Sequence, residues 1–328
     1  MIQTAFIGDV VLVIPLLKAL HDLWPDALLD AMVRPPAESL LETLPFMRDV
    51  ISYDKYGKDR GLRGFLRQAR QLKRRSYDLS LLPHRSLRSG MLAWLAKIPR
   101  RIGFNRGGGK FFHTDKVDYP SDLHEIERNI SLLQPLGVKP EIAPPLVLST
   151  GDDVKRVDEF VGGHTRLIAL APGSVWFSKR WPEDNYIELG KILIKDDWGI
   201  LLIGGSVDSS LCQNIANAIG GNTLNGAGQF TLRQSVEALR RCEALVTNDS
   251  APTHLGLAAN TRVFTIFGST APQFGFFPYG EKGKSLQIDL YCRPCTNHGK
   301  RNCPEKHFRC LKDLTPGLVY QQLQQVLP

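Results

Sequence analysis

The stretch "LVTNDSAPTHLGLAANTRVFTIFG", residues 245–268, decides the fold of this chain. An apolar run over residues 244–247 stops at a polar Asn-Asp-Ser turn, and a second apolar run covers residues 263–267. This pattern predicts two buried strands joined by a helix that begins near Ser250. Ser250 is placed as the N-cap of that helix, and Pro252 lies where its missing N–H group does no harm. Strands joined by a helix are typical of a parallel sheet.

The polar turn has two interpretations. The N–H groups that are exposed at a helix start, at the carboxyl end of a parallel strand, form a natural anion site. The same residues fit a capped helix that binds nothing. The turn alone does not decide between the two.

Length and composition favour a globular protein of one large or two smaller α/β domains. The chain has 328 residues, of which 43% are hydrophobic and 23% charged, as in ordinary folded proteins. Its N-terminal segment lacks a basic region, and Gly8-Asp9 interrupts the apolar run, so it predicts a strand, a turn and a helix and not a signal peptide. No apolar segment reaches the ~20 residues that span a bilayer. We therefore expect a soluble or peripheral protein.

Strand and helix patterns alternate along both halves. In the first half, residues 2–7 predict a strand and residues 10–23 a helix, and "AESLLETLP" and "HEIERNISLLQPLGV" predict further helices. A second alternation begins at "RLIALAPG". The rhythm predicts doubly wound parallel sheets in two domains, residues 1–160 and 161–328, with the C-terminal helix able to pack back on the first domain. Two such domains place a cleft between the carboxyl edges of their sheets.

Basic residues are in excess, with a net charge of +8 and a sequence pI near 9.2. This balance favours a polyanionic partner, which is nucleic acid, an acidic lipid surface or a phosphorylated substrate. Residues 60–75 predict a basic helix with an apolar stripe formed by Leu62, Phe65, Leu66, Ala69 and Leu72. Its basic face either is merely solvated or meets an anion. No recognised nucleic-acid-binding motif accompanies it.

Four of the six cysteines crowd into "CRPCTNHGKRNCPEKHFRC", together with His298 and His307. Cys292, Cys295, Cys303 and Cys310 either bind zinc or remain free thiols, because the second half of the segment lacks the usual paired ligands. Without a secretion signal, disulfides are less favoured than thiols. The spacing favours free thiols in an irregular loop.

Two strand ends carry the candidate chemistry. Asp9 follows the first strand, where it either caps a helix or serves as a base, although a helix N-terminus lowers the pKa of a carboxylate. Ser174, Lys179 and Arg180 follow the strand predicted at "RLIALAPG", and a lysine beside exposed N–H groups suits a departing diphosphate. The alternative is a basic loop that has no role in binding. The absence of G-x-G-x-x-G and G-K-[ST] argues against dinucleotide redox and Walker-type NTP use.

The segments "FIGDVVLVIPLLKAL", "APGSVWFSKRWPEDNYIEL", "LLIGG", "LVTNDSAPTHLGLAANTRVFTIFGST" and "CRPC…CPEKHFRCLKDLTP" resemble glycosyltransferase family 9, the ADP-heptose:lipopolysaccharide heptosyltransferases. The "TNDS" turn and the tail are most similar to the heptosyltransferase II branch. The first strand is short relative to the family, as though a few residues preceded Ile2.

The resemblance implies a GT-B fold, with two Rossmann-like domains whose parallel sheets face a central cleft, and an inverting, metal-independent transfer that needs no cofactor. By position, Asp9 matches the family's proposed base and Lys179 its phosphate-binding lysine. The donor-binding residues implied are Ser174, Lys179, Arg180, Asp249, Ser250, Ala251, Pro252 and His254. We expect the acceptor mainly on the N-terminal domain, with Arg60, Arg63 and Arg67 contributing.

The resemblance further implies ADP-L-glycero-D-manno-heptose as donor and the phosphorylated lipopolysaccharide inner core as acceptor. We expect a cytoplasmic protein that binds peripherally to the anionic surface of the inner membrane, and no nucleic-acid partner. Two alternatives remain open: another GT-B nucleotide-sugar enzyme, such as an epimerase or a different glycosyltransferase, and a basic nucleic-acid-binding protein.

Overall fold

The computed structural model describes residues 1–327, which form two compact units, Met1–Leu148 and a second that begins at Ser149. Every strand pair in the described residues is parallel, so the predicted α/β class with two parallel-sheet units is confirmed. The division falls at residue 148 and not at the expected residue 160. The helix that follows it packs within the second unit, where Ser149 Oγ donates to Glu237 Oε2 at 2.7 Å.

The strands of the first unit are β1 (Ile2–Gln3), β2 (Leu29–Val33), β3 (Met47–Ser52), β4 (Leu79–Leu82), β5 (Arg100–Phe104) and β6 (Asp115–Val117). Its helices are α1 (Ile7–Leu12), α2 (Ile14–Leu23), α3 (Gly61–Arg74), α4 (Leu87–Leu95) and α5 (Glu125–Ser131), with 3₁₀ helices at Ala37–Leu40, Gly108–Phe112 and Gln134–Leu136. The strand orders are β1-β2-β3 and β4-β5-β6, and β1 contacts β4 where the two sheets meet. The chain order reverses at that contact, which is where ligands bind in open α/β sheets.

Several element boundaries in the first unit differ from the sequence prediction. The first strand covers only Ile2–Gln3, because α1 already begins at Ile7. The helix predicted over residues 10–23 is split at Val13, because Pro15 has no N–H group with which to continue the helical ladder. Pro135 similarly separates α5 from the following 3₁₀ helix. The predicted "AESLLETLP" helix is reduced to Ala37–Leu40.

The basic helix α3 forms as predicted, but its apolar stripe is shorter than expected. Phe65, Ala69 and Leu72 are buried in the core of the first unit. Leu62 is 71% exposed, because the stripe meets that core only from the second turn onward. The charged face of α3 carries the helix's polar contacts, and these are described with the site.

The strands of the second unit are β7 (Leu167–Ala171), β8 (Gly199–Leu202), β9 (Thr223–Asn225), β10 (Cys242–Asn248), β11 (Arg262–Ile266) and β12 (Gly283–Leu286). Its helices are α6 (Gly151–Val161), α7 (Glu183–Lys195), α8 (Ser209–Ile219), α9 (Leu232–Arg240), α10 (Ala251–Ala258), α11 (Arg309–Lys312) and α12 (Pro316–Gln324). The strands form one sheet in the order β12-β11-β10-β7-β8-β9. Its order reverses between β7 and β10, the second place where a ligand is expected.

The C-terminal helix α12 belongs to the second unit. Val319 and Leu323 are fully buried in the core of that unit, and α12 contacts α7. The apolar face of α12 is thus covered within the second unit, and the expectation that this helix packs back on the first domain stays a prediction. Within residues 1–327, no helix combines the length and the apolar character that crossing a bilayer requires.

Candidate functional site

The loops after β7 and β10 are joined by one asparagine at the end of β10. Asn248 is fully buried, its Oδ1 accepts from the backbone N–H of Trp181 at 2.9 Å, and its Nδ2 donates to the carbonyl of Pro172 at 2.8 Å. Both loops follow neighbouring parallel strands, so their polar groups lie at the same sheet edge. The amide thus holds the loop that carries Lys179 against the turn that carries Asp249.

Lys179 and Asp249 form a mostly buried ion pair at this edge of the sheet. The Nζ of Lys179 lies 2.7 Å from Asp249 Oδ2, and the two side chains are 13% and 10% exposed. Thr270 Oγ1 donates to the same carboxylate oxygen at 2.6 Å. The ammonium is therefore fixed in place, with the carboxylate as its support. A fixed cation at the order reversal of a parallel sheet suits an anionic ligand.

The first turn of α10 lies next to this pair and differs from the prediction in one respect. Ser250 occupies the N-cap position, but its side chain does not cap the helix; its Oγ donates to the carbonyl of Asn248 at 3.3 Å. The N–H groups of Ser250 and Ala251 have no partner among residues 1–327. Pro252 lies in the first turn, as predicted. These free donors are what an anion requires at a helix N-terminus.

The remaining predicted donor residues occupy different environments. Arg180 is exposed, and its Nε donates to the carbonyl of Ser174 at 2.7 Å. His254 is only 5% exposed, and its Nδ1 has no partner in the described part of the chain. Burial and the neighbouring Lys179 lower the pKa of His254 to about 4. A neutral imidazole below the turn can accept a hydrogen bond but adds no charge.

The turn after β7 is shaped by a close approach to the turn after β8. A Cβ atom on Gly173 would lie 2.4 Å from Asp208 Oδ1. The Oδ2 of the same carboxylate accepts from the backbone N–H of Gly205 at 3.0 Å, so Asp208 is not free to move away. A side chain at position 173 would therefore force the Asp208 carboxylate to move and disturb its hydrogen bond with Gly205.

In the first unit, Asp9 lies beside the contact of β1 and β4. It is the third residue of α1, and its Oδ2 accepts from the backbone N–H of Phe6 at 3.1 Å. It is therefore not the N-cap, which was one of the two interpretations of the sequence. Burial, and then the Glu125 carboxylate, raise the pKa of Asp9 from 3.8 to about 7, against the lowering effect of the hydrogen bond from Phe6 and of Arg85.

The direction of that shift reverses the expectation that a helix N-terminus lowers the pKa of Asp9. Glu125 is only 6% exposed and accepts from Arg128 Nη1 at 3.1 Å and from Tyr119 OH at 3.2 Å. Its charge is thus held near Asp9. A carboxylate whose pKa lies near 7 is suited to general-base catalysis at neutral pH.

A cluster of cations that sequence reasoning missed as a site surrounds His84, which follows β4. Burial, then Lys55, Arg85 and Arg34, lower the pKa of His84 to about 4. Burial, then Arg34 and Arg88, also lower the pKa of Lys55. None of the salt bridges within residues 1–327 includes Arg34, Lys55, Arg85 or Arg88. We name these four residues and His84 the cationic cluster.

The cationic cluster is assembled by topology and not by sequence proximity. Arg34 directly follows β2, Lys55 lies three residues beyond β3, and Arg85 and Arg88 follow β4. Arg34 Nη1 and Lys55 Nζ donate to the carbonyls of Ala5 and Thr4, at 3.4 and 2.9 Å, beyond the end of β1. A basic residue shortly after each of the three strands β2, β3 and β4 was the signal that could have identified them.

The arginines of α3 that were expected to bind the acceptor do not form one group. Arg67 donates to the fully buried Asp59 at 2.5 Å and to the carbonyl of Lys58 at 2.8 Å. Arg60 and Arg63 are exposed, and no carboxylate in residues 1–327 pairs with them. Arg88 Nη2 lies 3.5 Å from the carbonyl of Gly61, so the start of α3 adjoins the cationic cluster.

The four cysteines of the C-terminal segment line one cavity, of about 290 Å³, together with His307. All four are free thiols, and burial raises the pKa of Cys310 to about 11. Within the described part of the chain, no group of three or more His, Cys, Asp and Glu residues is arranged to hold a metal ion. The segment also supports the loop after β11, because the N–H of Cys295 donates to the carbonyl of Ser269 at 3.0 Å.

Comparison with known proteins gives consistent relatives along the chain. Lipopolysaccharide heptosyltransferase 2 of Escherichia coli (strain K12) is 26% identical over 99% of this chain and 97% of the relative. The solved E. coli ADP-heptose lps heptosyltransferase II superposes with a TM-score of 0.81 at 23% identity, covering 99% of this chain and 97% of that one. A glycosyl transferase family 9 protein from Veillonella parvula gives a TM-score of 0.88 at 22% identity, covering 99% and 95%. These structural neighbours have the GT-B fold that the sequence predicted.

The family model for glycosyltransferase family 9 (heptosyltransferase) matches residues 65–307. The match covers most of the chain and contains the Lys179–Asp249 pair, the start of α10 and three of the four cysteines, all but Cys310. By this match the chain belongs to glycosyltransferase family 9 and is a glycosyltransferase.

Proposed function

We propose that this enzyme transfers L-glycero-D-manno-heptose from ADP-heptose to the phosphorylated inner core of lipopolysaccharide, with inversion at the anomeric carbon. The observation that carries the proposal is that each unit has a reactive group at its own order reversal: in the first a carboxylate whose pKa lies near 7, and in the second a fixed lysine with free N–H groups. The two E. coli relatives, which are named heptosyltransferase 2 and ADP-heptose lps heptosyltransferase II, support the choice of donor and acceptor.

Asp9 serves as the general base in this proposal. As the acceptor hydroxyl oxygen attacks the anomeric carbon, its proton passes to Asp9, and the bond from that carbon to the diphosphate oxygen breaks. The raised pKa, about 7, makes Asp9 a better proton acceptor than an ordinary aspartate while it stays largely ionised just above neutral pH. A single displacement of this kind inverts the anomeric centre.

The departing ADP is held by the second unit. Lys179 and the N–H groups of Ser250 and Ala251 face the negative charge that grows on the diphosphate as the bond breaks. Asp249 is a positioning residue, because it fixes the Lys179 ammonium and is itself held by Thr270. Ser174 and Arg180 complete the loop on the β7 side, and the Pro252 and His254 positions belong to the helix that aims the N–H groups.

The acceptor's phosphate groups bind at the cationic cluster. Burial and, after it, the charges of Arg34 and Arg88 lower the pKa of Lys55. Four neighbouring cations without a salt-bridge partner repel one another, and a phosphate dianion relieves that repulsion. Arg60 and Arg63, at the adjoining start of α3, extend the same anionic path. Arg67 contributes less, because its guanidinium is already committed to Asp59.

The transfer is proposed to proceed without a metal ion. Lys179 and the free N–H groups of the first turn of α10 supply the positive potential that a divalent cation would otherwise give the diphosphate. The cysteines that line the cavity have a structural role in this proposal, because they belong to the loop whose Cys295 N–H group holds Ser269. No step depends on it.

The test is an ADP-release assay with ADP-heptose and a set of defined truncated core acceptors. We expect ADP release only in the presence of an acceptor that carries inner-core heptose and phosphate, with a product of inverted anomeric configuration by NMR. Release of free sugar without an acceptor, or equal rates with a dephosphorylated acceptor, would contradict the proposal. A catalytically silent Lys191→Ala variant, on the exposed side of α7, serves as the matched control.

A further inference from the structure

One long segment of the first unit contains no carboxylate side chain. Between Asp78 and Asp115 the sequence contains no aspartate or glutamate. It contains seven basic residues there, which are Arg85, Arg88, Lys97, Arg100, Arg101, Arg106 and Lys110. A chain of average composition carries both signs of charge over such a length, so this segment has a strongly one-sided potential.

The same segment exposes large apolar side chains. Leu87 and Trp94 of α4 are 49% and 52% exposed, and Phe111 of the following 3₁₀ helix is 75% exposed. Leu87 and Trp94 are seven positions apart, which places them on one face of the helix. Exposed aromatic residues grouped in this way mark an interaction surface more often than chance.

These residues belong to adjoining parts of the fold, because the 3₁₀ helix Gly108–Phe112 packs along α4. A Cβ on Gly108 would lie 2.9 Å from Leu87 Cβ, and one on Gly90 would lie 2.8 Å from the Gly109 carbonyl oxygen. At the other end the rings of Trp94 and Phe112 are 5.7 Å apart. We name Leu87, Trp94, Phe111, Lys97 and Lys110 the aromatic–basic surface.

We infer that the aromatic–basic surface is where this protein contacts an anionic lipid bilayer. Aromatic rings prefer the headgroup level of a membrane, and lysines beside them are attracted to acidic lipids. Lys110 Nζ lies 5.3 Å from the ring centre of Phe111, so charge and apolar area occur together. The acid-free segment supplies the charge complementarity.

Helix α3 is the other basic helix that the sequence favoured for contact with an anionic surface, but it is less suited to a membrane contact than α4. It exposes basic residues, but Leu62 is its single strongly exposed large apolar side chain, and its aromatic residue Phe65 is buried. Binding to a membrane through charge alone is lost when salt is added, whereas binding through aromatic rings inserted into the bilayer is retained. Helix α3 adds long-range attraction, and α4 with its neighbouring 3₁₀ helix makes the contact. This contact does not depend on the proposed transfer.

Sedimentation with vesicles tests the inference on the full-length protein without donor or acceptor. We expect binding to vesicles of phosphatidylglycerol and phosphatidylcholine and little binding to phosphatidylcholine alone. The double variant Trp94→Ser/Phe111→Ser should reduce the partition coefficient about tenfold or more while keeping the circular dichroism spectrum and the melting temperature. Lys97→Glu/Lys110→Glu should reduce binding at low salt. Val207→Gln removes an even more exposed apolar residue, which belongs to the second unit and is 92% exposed, and should change nothing.

Two results would overturn the inference. In the first, the Trp94→Ser/Phe111→Ser variant sediments with anionic vesicles as well as the wild type does. In the second, the wild type forms a dimer that this variant loses, and neither protein binds vesicles, which would make the surface a contact between two copies of the chain. Quenching of tryptophan fluorescence by brominated lipid in the wild type, lost in Trp94→Phe, would place the indole itself in the bilayer and support the inference.

Discussion

At the scale of single residues, Asp9 is the position whose chemistry depends most on its surroundings. In the sequence it is one acidic residue in an apolar segment, and in the fold it lies near the buried carboxylate of Glu125. That neighbour comes from α5, more than a hundred positions along the chain. The raised pKa could not be read from the sequence, because it results from a pairing that only the tertiary fold creates.

The base role of Asp9 predicts a pH profile. The ionised form accepts the proton, so kcat/KM should rise as the pH increases through about 7, the pKa of Asp9. Asp9→Asn should lower turnover by about two to four orders of magnitude and remove this limb of the profile, while ADP binding by calorimetry stays unchanged. A variant with near-normal turnover would leave Asp9 as a helix-capping residue only.

The same residue should reduce the stability of the fold at neutral pH. Because the pKa is about 7 in the folded protein and 3.8 in the reference state, the folded state retains a proton that the unfolded chain has released. The stability contributed by this group is therefore fully present below pH 3.8 and is lost as the pH rises through about 7. We expect Asp9→Asn to melt higher than the wild type at pH 8, with a smaller difference at pH 5. A constant difference across that range would contradict the raised pKa.

Lys179 is expected to act on donor binding and on the rate together. Lys179→Ala should weaken ADP binding and lower kcat, because the charge that Lys179 neutralises increases in the transition state. Thr270→Val should give a milder form of the same defect, because it loosens Asp249 and, through it, the ammonium. Calorimetry and initial rates measure both effects. An unchanged dissociation constant and rate for Lys179→Ala would remove it from the donor site.

At the scale of elements, helix α3 separates residues that look equivalent in the sequence. Arg63 is exposed and unpaired by any carboxylate in residues 1–327, whereas Arg67 pairs with the fully buried Asp59. Arg67→Ala should lower the free energy of unfolding by about 1–3 kcal/mol, because a buried acceptor loses its charged partner. Arg63→Ala should change stability by less than about 0.5 kcal/mol. Urea denaturation compares them, and equal effects would mean that Asp59 is satisfied without Arg67.

Elements also mark how far the sequence could be interpreted. Some elements are predictable from the sequence. Continuous apolar runs mark the buried strands β7, β10 and β11, and a proline in the first turn marks the start of the helix between β10 and β11. The split between α1 and α2 was missed although Pro15 signals it, because the apolar pattern continues across it. The cationic cluster was missed for another reason, namely that its members come from three separate loops.

At the scale of the whole molecule, metal independence can be tested on the intact protein. Chelation followed by dialysis should leave the rate of heptose transfer unchanged, because the diphosphate charge is met by Lys179 and by backbone N–H groups. Elemental analysis should find less than stoichiometric zinc. If about one equivalent of zinc resists dialysis, as a closed four-thiolate site would hold it, then the cavity lined by cysteines is a metal site and the free-thiol expectation is wrong.

The close approach at Gly173 restricts how this chain can diverge over evolutionary time. Because a side chain there would meet an Asp208 carboxylate that Gly205 holds in place, neither turn can change first without a steric or polar defect. Positions 173 and 208 are therefore expected to show strong epistasis: a side chain at position 173 is harmful while Asp208 is present and tolerated once Asp208 has been replaced. In a deep mutational scan, tolerance at position 173 should appear only in variants that have already replaced Asp208 by glycine or alanine.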